Sequence, residues 1–510
     1  MDSLQLFPPE PNFAEARFPS PRLFQDRAHN ALRDGFRNGH RRQLLVAPTG
    51  AGKTYCGLRV AHEAVAKGKR ATFVCDRTAL INQTSAKADE YGLTNHAIVQ
   101  ADHWRRDNSM PLQIASIQTL AARGYWPQSD VLIIDEAHTQ HSTWVEYIKT
   151  TSAAVIGLTA TPCSKGLGLS FTNMVNAATM HELTEQRVLV PMRILSCTTP
   201  DMTGAEAGNK EWTAKIASQW ELQIIGDVVA EWVKYGENRK TIAFGADIAY
   251  CLQLARRFNE AGIGAATYTS ETKDDERLAL LEEFSKPDPR IRVLVSVEAL
   301  AKGFDVQDIG CVIDARPLRR SLSTAIQMWG RGLRSSPDTG KQECLLLDHS
   351  GNFRRFQADF EDIYFNGFQT LDKAEKLDNV VRKDEPEDYE PSGCPNCGFK
   401  PFRRRCMKCG HEKEVQSLVD SAAGVMQEIR IGKAVAATDS LHLWKQICTY
   451  AAGAQRPQGR AANLFHDITG QWPPKNWHID ATERAPLTRT TLNKIKSLNI
   501  AYANRRRTAA

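Results

Sequence analysis

Apolar residues in this chain fall in short runs, separated by polar turns and by stretches with helical spacing. Asp26 through Gly35 has helical spacing, Gln43-Leu44-Leu45-Val46 is the first buried-strand run, and Tyr55 to Ala61 can continue as a helix. Ala71-Thr72-Phe73-Val74-Cys75, Ile114 to Thr119, Asp130 to Ile134 and Val155 to Leu158 repeat the strand pattern, each followed by polar residues. The alternation pauses over a tryptophan-rich stretch, predicted helical, around Trp212, Trp220 and Trp232. It resumes with Thr241 to Phe244, a helical run to Phe258, Gly264 to Tyr268 and Arg292 to Val297. Strands alternating with helices predict open α/β sheets, in which ligands collect at the C-terminal ends of the strands.

At 510 residues the chain is too long for one core, and its length suggests about three domains. With 42% hydrophobic and 24% charged residues, the composition is that of a globular protein. No apolar stretch approaches the roughly 18 residues of a membrane span. Pro8, Pro9, Glu10 and Pro11 leave no room for the basic and apolar regions of a secretion signal. Of the twelve cysteines, eight are scattered singly, several within apolar runs such as those holding Cys75, Cys311 and Cys344. That usage predicts a reducing compartment, and hence a cytoplasmic protein with no membrane partner. The net charge of +6 conceals an asymmetry. Residues 394–510 carry 19 Lys/Arg against 8 Asp/Glu, an excess of 11 that leaves −5 for residues 1–393. A basic module on a mildly acidic body is an electrostatic footprint for nucleic acid.

The chemistry is concentrated at the ends of the predicted strands. Ala47-Pro48-Thr49-Gly50-Ala51-Gly52-Lys53-Thr54 joins the first strand to a helix. Glycines there let backbone N–H groups close around phosphates, while Lys53 reaches the outer ones and the Thr54 hydroxyl ligates Mg²⁺. Ala47 stands where the phosphate-loop pattern begins with Gly, but the remainder is intact. Upstream, the amide of Gln25 in Phe24-Gln25 has one donor and one acceptor for an adenine edge. Asp135-Glu136-Ala137-His138 follows an apolar strand, so Asp135 can hold the metal bridging the phosphates and Glu136 can position the attacking water. Thr159-Ala160-Thr161-Pro162 sets two hydroxyls where they can couple nucleotide state to lobe movement. Arg331 and Arg334 stand three apart, which on a helix puts both on one face, from which they reach the γ-phosphate across a cleft. Gln327, one turn earlier, can orient the water or carry the same coupling.

In this order, Phe24-Gln25, the phosphate loop, Asp-Glu-Ala-His and Thr-Ala-Thr-Pro resemble superfamily 2 helicases of the DEAD/DEAH-box kind. Ala301-Lys302-Gly303-Phe304-Asp305 is similar to the fifth motif of that family, and Gln327-x-x-Gly-Arg-x-x-Arg to its sixth. The resemblance covers approximately residues 20–355. It is nearest to phage and prophage helicases grouped with the excision-repair and branch-migration (UvsW-like) enzymes, on the strength of Ala315-Arg316-Pro317, the Gln327–Arg334 wording and Leu346 to Asn352. It implies two tandem RecA-like lobes that hydrolyse Mg-ATP, with Gly303 and Asp305 contributing to the nucleotide site. It also implies action on DNA, in preference to RNA, often at forks or branches. Nucleic acid would cross both lobes over the strand ends, including Arg77-Thr78 and Gln118-Thr119, as the cleft opens and closes. An RNA remodeller, a non-catalytic nucleic-acid-binding protein and the motor subunit of a nuclease complex remain alternatives.

Residues 371–390 hold 8 Asp/Glu against 4 Lys/Arg and predict an exposed acidic linker, whose first half could end a helix. Cys394-Pro395-Asn396-Cys397-Gly398 and Cys406-Met407-Lys408-Cys409-Gly410 then form two knuckles with an eight-residue gap. Four thiolates aimed at one point predict a structural Zn²⁺ ribbon, His411 being a rival ligand. Leu441, Trp444, Ile447 and Cys448 share one helical face and predict a small core, and Arg505-Arg506-Arg507 ends the chain. The expected organisation is an extension at 1–20, lobe 1 at 21–190, lobe 2 at 191–370 and the linker at 371–391. The zinc ribbon at 392–412 and a basic helical module at 413–510 complete it.

Overall fold

Each apolar run becomes a strand, and the strands line up so that their chemistry-bearing ends share one edge. In the computed structural model the described residues are 18–197, 224–225, 227–298, 300, 306–318 and 321–378. Beyond these it describes 396–397, 408–409, 421–422, 426–429, 431, 437–453, 458–469, 473, 484–487, 491–492 and 495. The N-terminal extension to residue 17, Trp212, Trp220, Gly303, Asp305, Cys394, Cys406, His411 and Arg505–Arg507 lie outside them.

The first lobe begins with α1 (Leu23–Arg37), β1 (Arg42–Val46), α2 (Lys53–Ala66), β2 (Ala71–Cys75) and α3 (Thr78–Glu90). β3 (His96–Val99), β4 (Leu112–Ser116), α4 (Ile117–Arg123), β5 (Val131–Ile134) and α5 (Ser142–Thr150) follow. β6 (Ala154–Thr159), α6 (Leu167–Ser170), β7 (Asn173–Asn176) and α7 (Met180–Glu185) complete it. Its seven strands are parallel in the order β3-β4-β2-β5-β6-β1-β7. Register places the motifs. Val46 pairs with Thr159 and Ile134 with Gly157, so the phosphate loop, Asp135 and Thr159 emerge side by side. The strands are buried on both faces, as all-parallel sheets require. β4 stops at Ser116, three residues before the end of its apolar run, because the Ser116 hydroxyl accepts from Thr119 N at 3.4 Å and caps α4. Gln118 and Thr119 therefore lie in the first turn of a helix.

The second lobe contains β8 (Met192–Ser196), β9 (Ile224–Ile225), α8 (Val228–Tyr235), β10 (Thr241–Gly245), α9 (Ile248–Glu260), β11 (Ala265–Thr267) and α10 (Asp274–Ser285). After these come β12 (Val293–Ser296), β13 (Cys311–Ala315), α11 (Leu322–Trp329), β14 (Cys344–Asp348) and α12 (Asn352–Asn366). Its sheet runs β11-β12-β10-β13-β14-β8, with Gln427 beyond β8 at the edge. The β10 to β14 strands and β8 are parallel. Trp232 anchors α8 to this core, its indole donating to Thr241 Oγ1 at 2.8 Å and packing edge-on against Phe258. Away from the sheet, β9 pairs with Ser421–Ala422.

The acidic stretch after residue 371 is not simply an exposed linker. Leu371–Leu377 forms a helix, α13, in which Ala374 is buried. Glu375 accepts from Gly166 N at 3.1 Å on lobe 1, and Asp378 accepts from Ser323 at the start of α11. These two carboxylates serve as caps for backbone and hydroxyl donors on the lobes. A second compact unit, residues 355–362 and 428–510, has its own small core. There Trp444, Ile447 and Ala451 of α14 (Ala437–Gly453) pack with Ala461, Leu464 and Phe465 of α15 (Gln458–Thr469) and with Ile495. Leu441 and Cys448 border that cluster, as the helical periodicity predicts.

Candidate functional site: the cleft between the lobes

The loop between β1 and α2 takes up a conformation available to glycine. Gly50 and Gly52 have φ of +90° and +85°, and α2 starts at Lys53. Its backbone donors and the helix N-terminus form an anion-binding cradle. Gln25 sits in the first turn of α1 and is buried. Its Oε1 accepts from Arg22 N at 2.9 Å and its Nε2 donates to Ala51 O at 3.1 Å, so its amide braces the loop from below. The expected adenine contact would use an amide already engaged at both ends.

Lys53 Nζ lies 3.7 Å from Glu136 Oε1, and both side chains are mostly enclosed. Asp135 is buried beside them, and its Oδ1 accepts from Glu136 N at 3.0 Å. Burial, reinforced by the neighbouring Glu136 charge, pushes the Asp135 carboxyl up to about 7. Burial acts in the same direction on Glu136. Lys53, His138 and Arg331 outweigh it and hold Glu136 well below the carboxylate range. A buried carboxylate lifted in this way fits a divalent cation, which restores its charge. Thr54 and Asp135 would hold Mg²⁺, whose charge offsets that of the phosphates. Glu136, ionised and with φ of +47°, turns off the strand toward Lys53.

From Glu136 a line of polar contacts crosses to the other lobe. His138 Nδ1 lies 3.2 Å from Glu136 Oε2 and 3.1 Å from Thr159 Oγ1. Gln327 of α11 directs its Nε2 to Thr161 Oγ1 at 2.9 Å and to His138 Nε2 at 3.3 Å. Gln327 Nε2 thus lies against His138 Nε2, while His138 Nδ1 faces Glu136. Gln327 of the second lobe is bonded to the segments that follow both β5 and β6 of lobe 1. Gln327→Leu keeps the volume but leaves Thr161 and His138 without their donor. ATP affinity is expected to stay within about threefold while kcat falls roughly ten- to a hundredfold, a split that steady-state kinetics reads directly.

Arg331 and Arg334 do not share a helical face. α11 ends at Trp329, and the chain continues through turns to Arg334, which forms an isolated antiparallel bridge with Leu189. Two glycines let the chain pack closely here. A Cβ on Gly330 would stand 3.1 Å from Thr49 Cβ of the phosphate loop, and one on Gly332 would stand 2.1 Å from Cys344 Sγ. Close approach of backbone to neighbour, rather than helical spacing, sets both arginines. Arg331 is buried near Glu136, and the Arg334 side chain passes over Gly50, whose Cβ would meet Arg334 Cγ at 3.2 Å.

This arginine segment rests on residues that no sequence pattern had marked for it. Asp314 and Asp348, at the ends of adjacent strands, are wholly buried. Trp329 Nε1 donates to Asp314 Oδ2 at 2.9 Å, and Asn352 donates to both Asp314 oxygens at 3.0 Å. Ser350 Oγ reaches both carboxylates, at 2.9 and 3.0 Å. Burial and the Asp348 charge push Asp314 up to about 7. On the other side Lys341 Nζ donates to the carbonyls of Gly332, Arg334 and Gln307 at 2.6, 2.8 and 3.2 Å. Trp329→Phe removes only the indole donor. It is expected to cost about 1–3 kcal/mol of stability in denaturant melts and to lower kcat, because the arginine segment follows directly.

The remaining site candidates are partly in view. Arg77 and Gln118 are exposed at the strand-end edge of lobe 1, with Gln118 Nε2 donating to Asp76 O at 2.6 Å. Cys397 and Cys409 belong to separate knuckles, yet Asn396 Nδ2 lies 3.7 Å from Cys409 Sγ, so the knuckles approach one another. Among the described residues no group of three or more His, Cys, Asp or Glu is placed to hold a metal. No helix among them is long and apolar enough to cross a membrane.

Comparison with known proteins agrees with this geometry. Residues 19–164 match the family model described as "Type III restriction enzyme, res subunit", and residues 222–336 match "Helicase conserved C-terminal domain". The chain's two matched domains are those of a superfamily 2 helicase. It is an ATP-dependent, nucleic-acid-dependent ATPase. The helicase is 25% identical over 386 residues to a 51.5 kDa protein of a Lactococcus phage, covering 73% of this chain and 78% of that one. It is 26% identical over 358 residues to a Schizosaccharomyces pombe protein named as a mitochondrial ATP-dependent helicase, irc3, covering 66% of this chain but 58% of the relative. In fold the helicase is similar to a fragment named as an HsdR subunit of a type I restriction enzyme from Vibrio vulnificus. That match has a TM-score of 0.52 and 22% identity, and covers 69% of this chain and 68% of the other.

Proposed function

We propose that this helicase is a DNA motor that couples Mg-ATP hydrolysis to movement along or remodelling of DNA, in the cytoplasm of a bacterium or phage-infected host. The observation that carries the proposal is the line from Lys53 through Glu136 and His138 to Gln327 and Thr161. Such a line makes hydrolysis depend on how the lobes meet. A strand lying across both lobes can govern that meeting. In this reading Thr49 to Thr54 cradle the phosphates and Gly303 and Asp305 complete the second lobe's side. Arg331 and Arg334 stabilise the charge that develops during transfer. The family model of lobe 1 is named for a restriction-enzyme subunit, and residues 394–510 carry an excess of positive charge. The first favours DNA over RNA, and the second suits a phosphate backbone of either kind.

The test is ATP hydrolysis by the purified chain with no nucleic acid, single-stranded DNA, duplex, forked DNA and RNA. Greater stimulation by DNA than by RNA is expected, with the ranking of DNA forms naming the track. Equal stimulation by RNA would move the assignment to an RNA remodeller. Because the matched family model is named for a restriction subunit, the same preparations are to be incubated with closed-circular plasmid. Linearisation would point to the nuclease-motor reading.

Cys394, Cys397, Cys406 and Cys409 are assigned to a structural Zn²⁺, supported by their spacing and by the approach of Asn396 to Cys409. About one zinc per chain is expected by elemental analysis, falling by half or more in Cys397→Ser with Cys409→Ser. A zinc-free wild type would remove the ribbon.

A further inference from the structure

Six large apolar side chains among the described residues are strongly exposed, and two of them are aromatic: Trp104 at 84% and Tyr125 at 51%. Both lie in segments that follow the neighbouring strands β3 and β4, at one side of the first sheet. Trp104 belongs to a loop that is pinned at both ends. At its start, Ala101 N donates to Thr119 Oγ1 at 3.3 Å and Ala101 O accepts from Arg123. Arg105 O accepts from Ile98 N, and the Arg105 guanidinium forms a two-pronged pair with Asp89 at 2.6 and 2.7 Å. At the far end Arg70 donates to the carbonyls of Asn108, Ser109 and Met110. Asp107 is committed to Ser109. What the loop leaves in water is its largest apolar group, an indole flanked by His103 and by Arg105.

Tyr125 is presented in a comparable way. Gly124 ends α4 with φ of +59°, and the next ring, Trp126, lies flat on Tyr147 with centroids 3.9 Å apart and planes at 1°. A fixed neighbour on one side and a helix on the other hold Tyr125 outward. Arg123 joins the two segments by its bond to Ala101, and Arg77 and Arg106 are exposed on the same lobe. A single exposed tryptophan needs no explanation. Two aromatics on pinned backbones at one sheet edge, accompanied by exposed guanidiniums, form a combination suited to bases and phosphates.

We propose that Trp104 and Tyr125 form a base-stacking platform at the lobe 1 end of the nucleic-acid track, with Arg77, Arg106 and Arg123 on the adjoining phosphates. The inference rests on the proposed movement of this chain along nucleic acid, and extends the contact surface past the strand-end residues Arg77-Thr78 and Gln118-Thr119. Stacking is indifferent to base identity, so the platform grips an unpaired strand without reading its sequence. A pinned loop costs little ordering entropy on binding, which suits a contact made and released at every step.

Stacking and phosphate contacts separate in one experiment. Full-length wild type, Trp104→Ala, Trp104→Phe and Arg123→Ala are titrated with oligo-dT, oligo-rU and an abasic oligomer of equal length over a series of salt concentrations. The wild type is expected to prefer oligo-dT over the abasic chain. Trp104→Ala should lose roughly ten- to a hundredfold in oligo-dT affinity, abolish that preference and keep the salt slope. Trp104→Phe should retain most of the preference, and Arg123→Ala should lower the slope by about one. Ultraviolet crosslinking of the wild type to 5-iododeoxyuridine oligomers should map to the peptides holding Trp104 or Tyr125, and does not depend on any variant folding. A Trp104→Ala protein with the wild-type ratio of oligo-dT to abasic binding, or crosslinks confined to other peptides, overturns the platform while leaving the motor standing. A wild type that binds no oligomer overturns both.

Discussion

Arg331→Ala is expected to lower DNA-stimulated kcat by about a thousandfold or more while ATP still binds. The guanidinium is buried in the cleft, its charge helps hold Glu136 ionised, and it follows the glycine that lies against Thr49 of the phosphate loop. In the proposed reading it stabilises charge that exists only during transfer, so its loss would fall on kcat rather than on ground-state affinity. Arg331→Lys should recover little, because a point charge on a flexible stem cannot reproduce a planar fork in an enclosed position. Binding of a fluorescent ATP analogue beside single-turnover hydrolysis separates the two effects. A loss of binding equal to the loss of rate would assign Arg331 to the ground state.

Glu136→Gln should have the second-largest effect, a fall in kcat of roughly 10²- to 10⁴-fold with nucleotide and DNA both retained. The amide keeps the volume but cannot accept a proton from water. It also changes what His138 Nδ1 and Lys53 face, since each lies within 4 Å of a carboxylate oxygen. ATP should therefore accumulate unhydrolysed on the variant in the presence of DNA, detectable as slow release after rapid gel filtration. Turnover within threefold of wild type would remove Glu136 from the water-positioning role.

Local chemistry was readable from the chain, whereas chemistry assembled at a distance was not. The phosphate loop and Asp135-Glu136 announce themselves because strand, turn and side chains are contiguous, and pairing of Val46 with Thr159 only sets them side by side. Thr161 and Gln327 could be named from the sequence as coupling residues, but their meeting at 2.9 Å joins positions 166 apart. The sequence spacing misleads at Arg331 and Arg334, where the helix has already ended at Trp329 and Gly330 and Gly332 let backbone approach Thr49 and Cys344. Asp314 reads as part of an ordinary strand. Its bond to Trp329 exists only once β13 and α11 have packed, and Lys341 looks like a solvated loop lysine until three carbonyls converge on it. Glu375 and Asp378 lie in an acidic run whose composition suggests a linker, yet each has found a donor on a lobe.

The central claim is that the line of polar contacts through Glu136, His138, Gln327 and Thr161 converts hydrolysis into movement. The most direct measurement is displacement of a third strand from a linear DNA triplex, with ATP consumption followed in the same reaction. For the wild type a lag that lengthens in proportion to the distance between DNA end and triplex is predicted. Gln327→Leu should consume its reduced share of ATP with little displacement. DNA-stimulated hydrolysis without displacement by the wild type, or a lag indifferent to distance, would contradict the account.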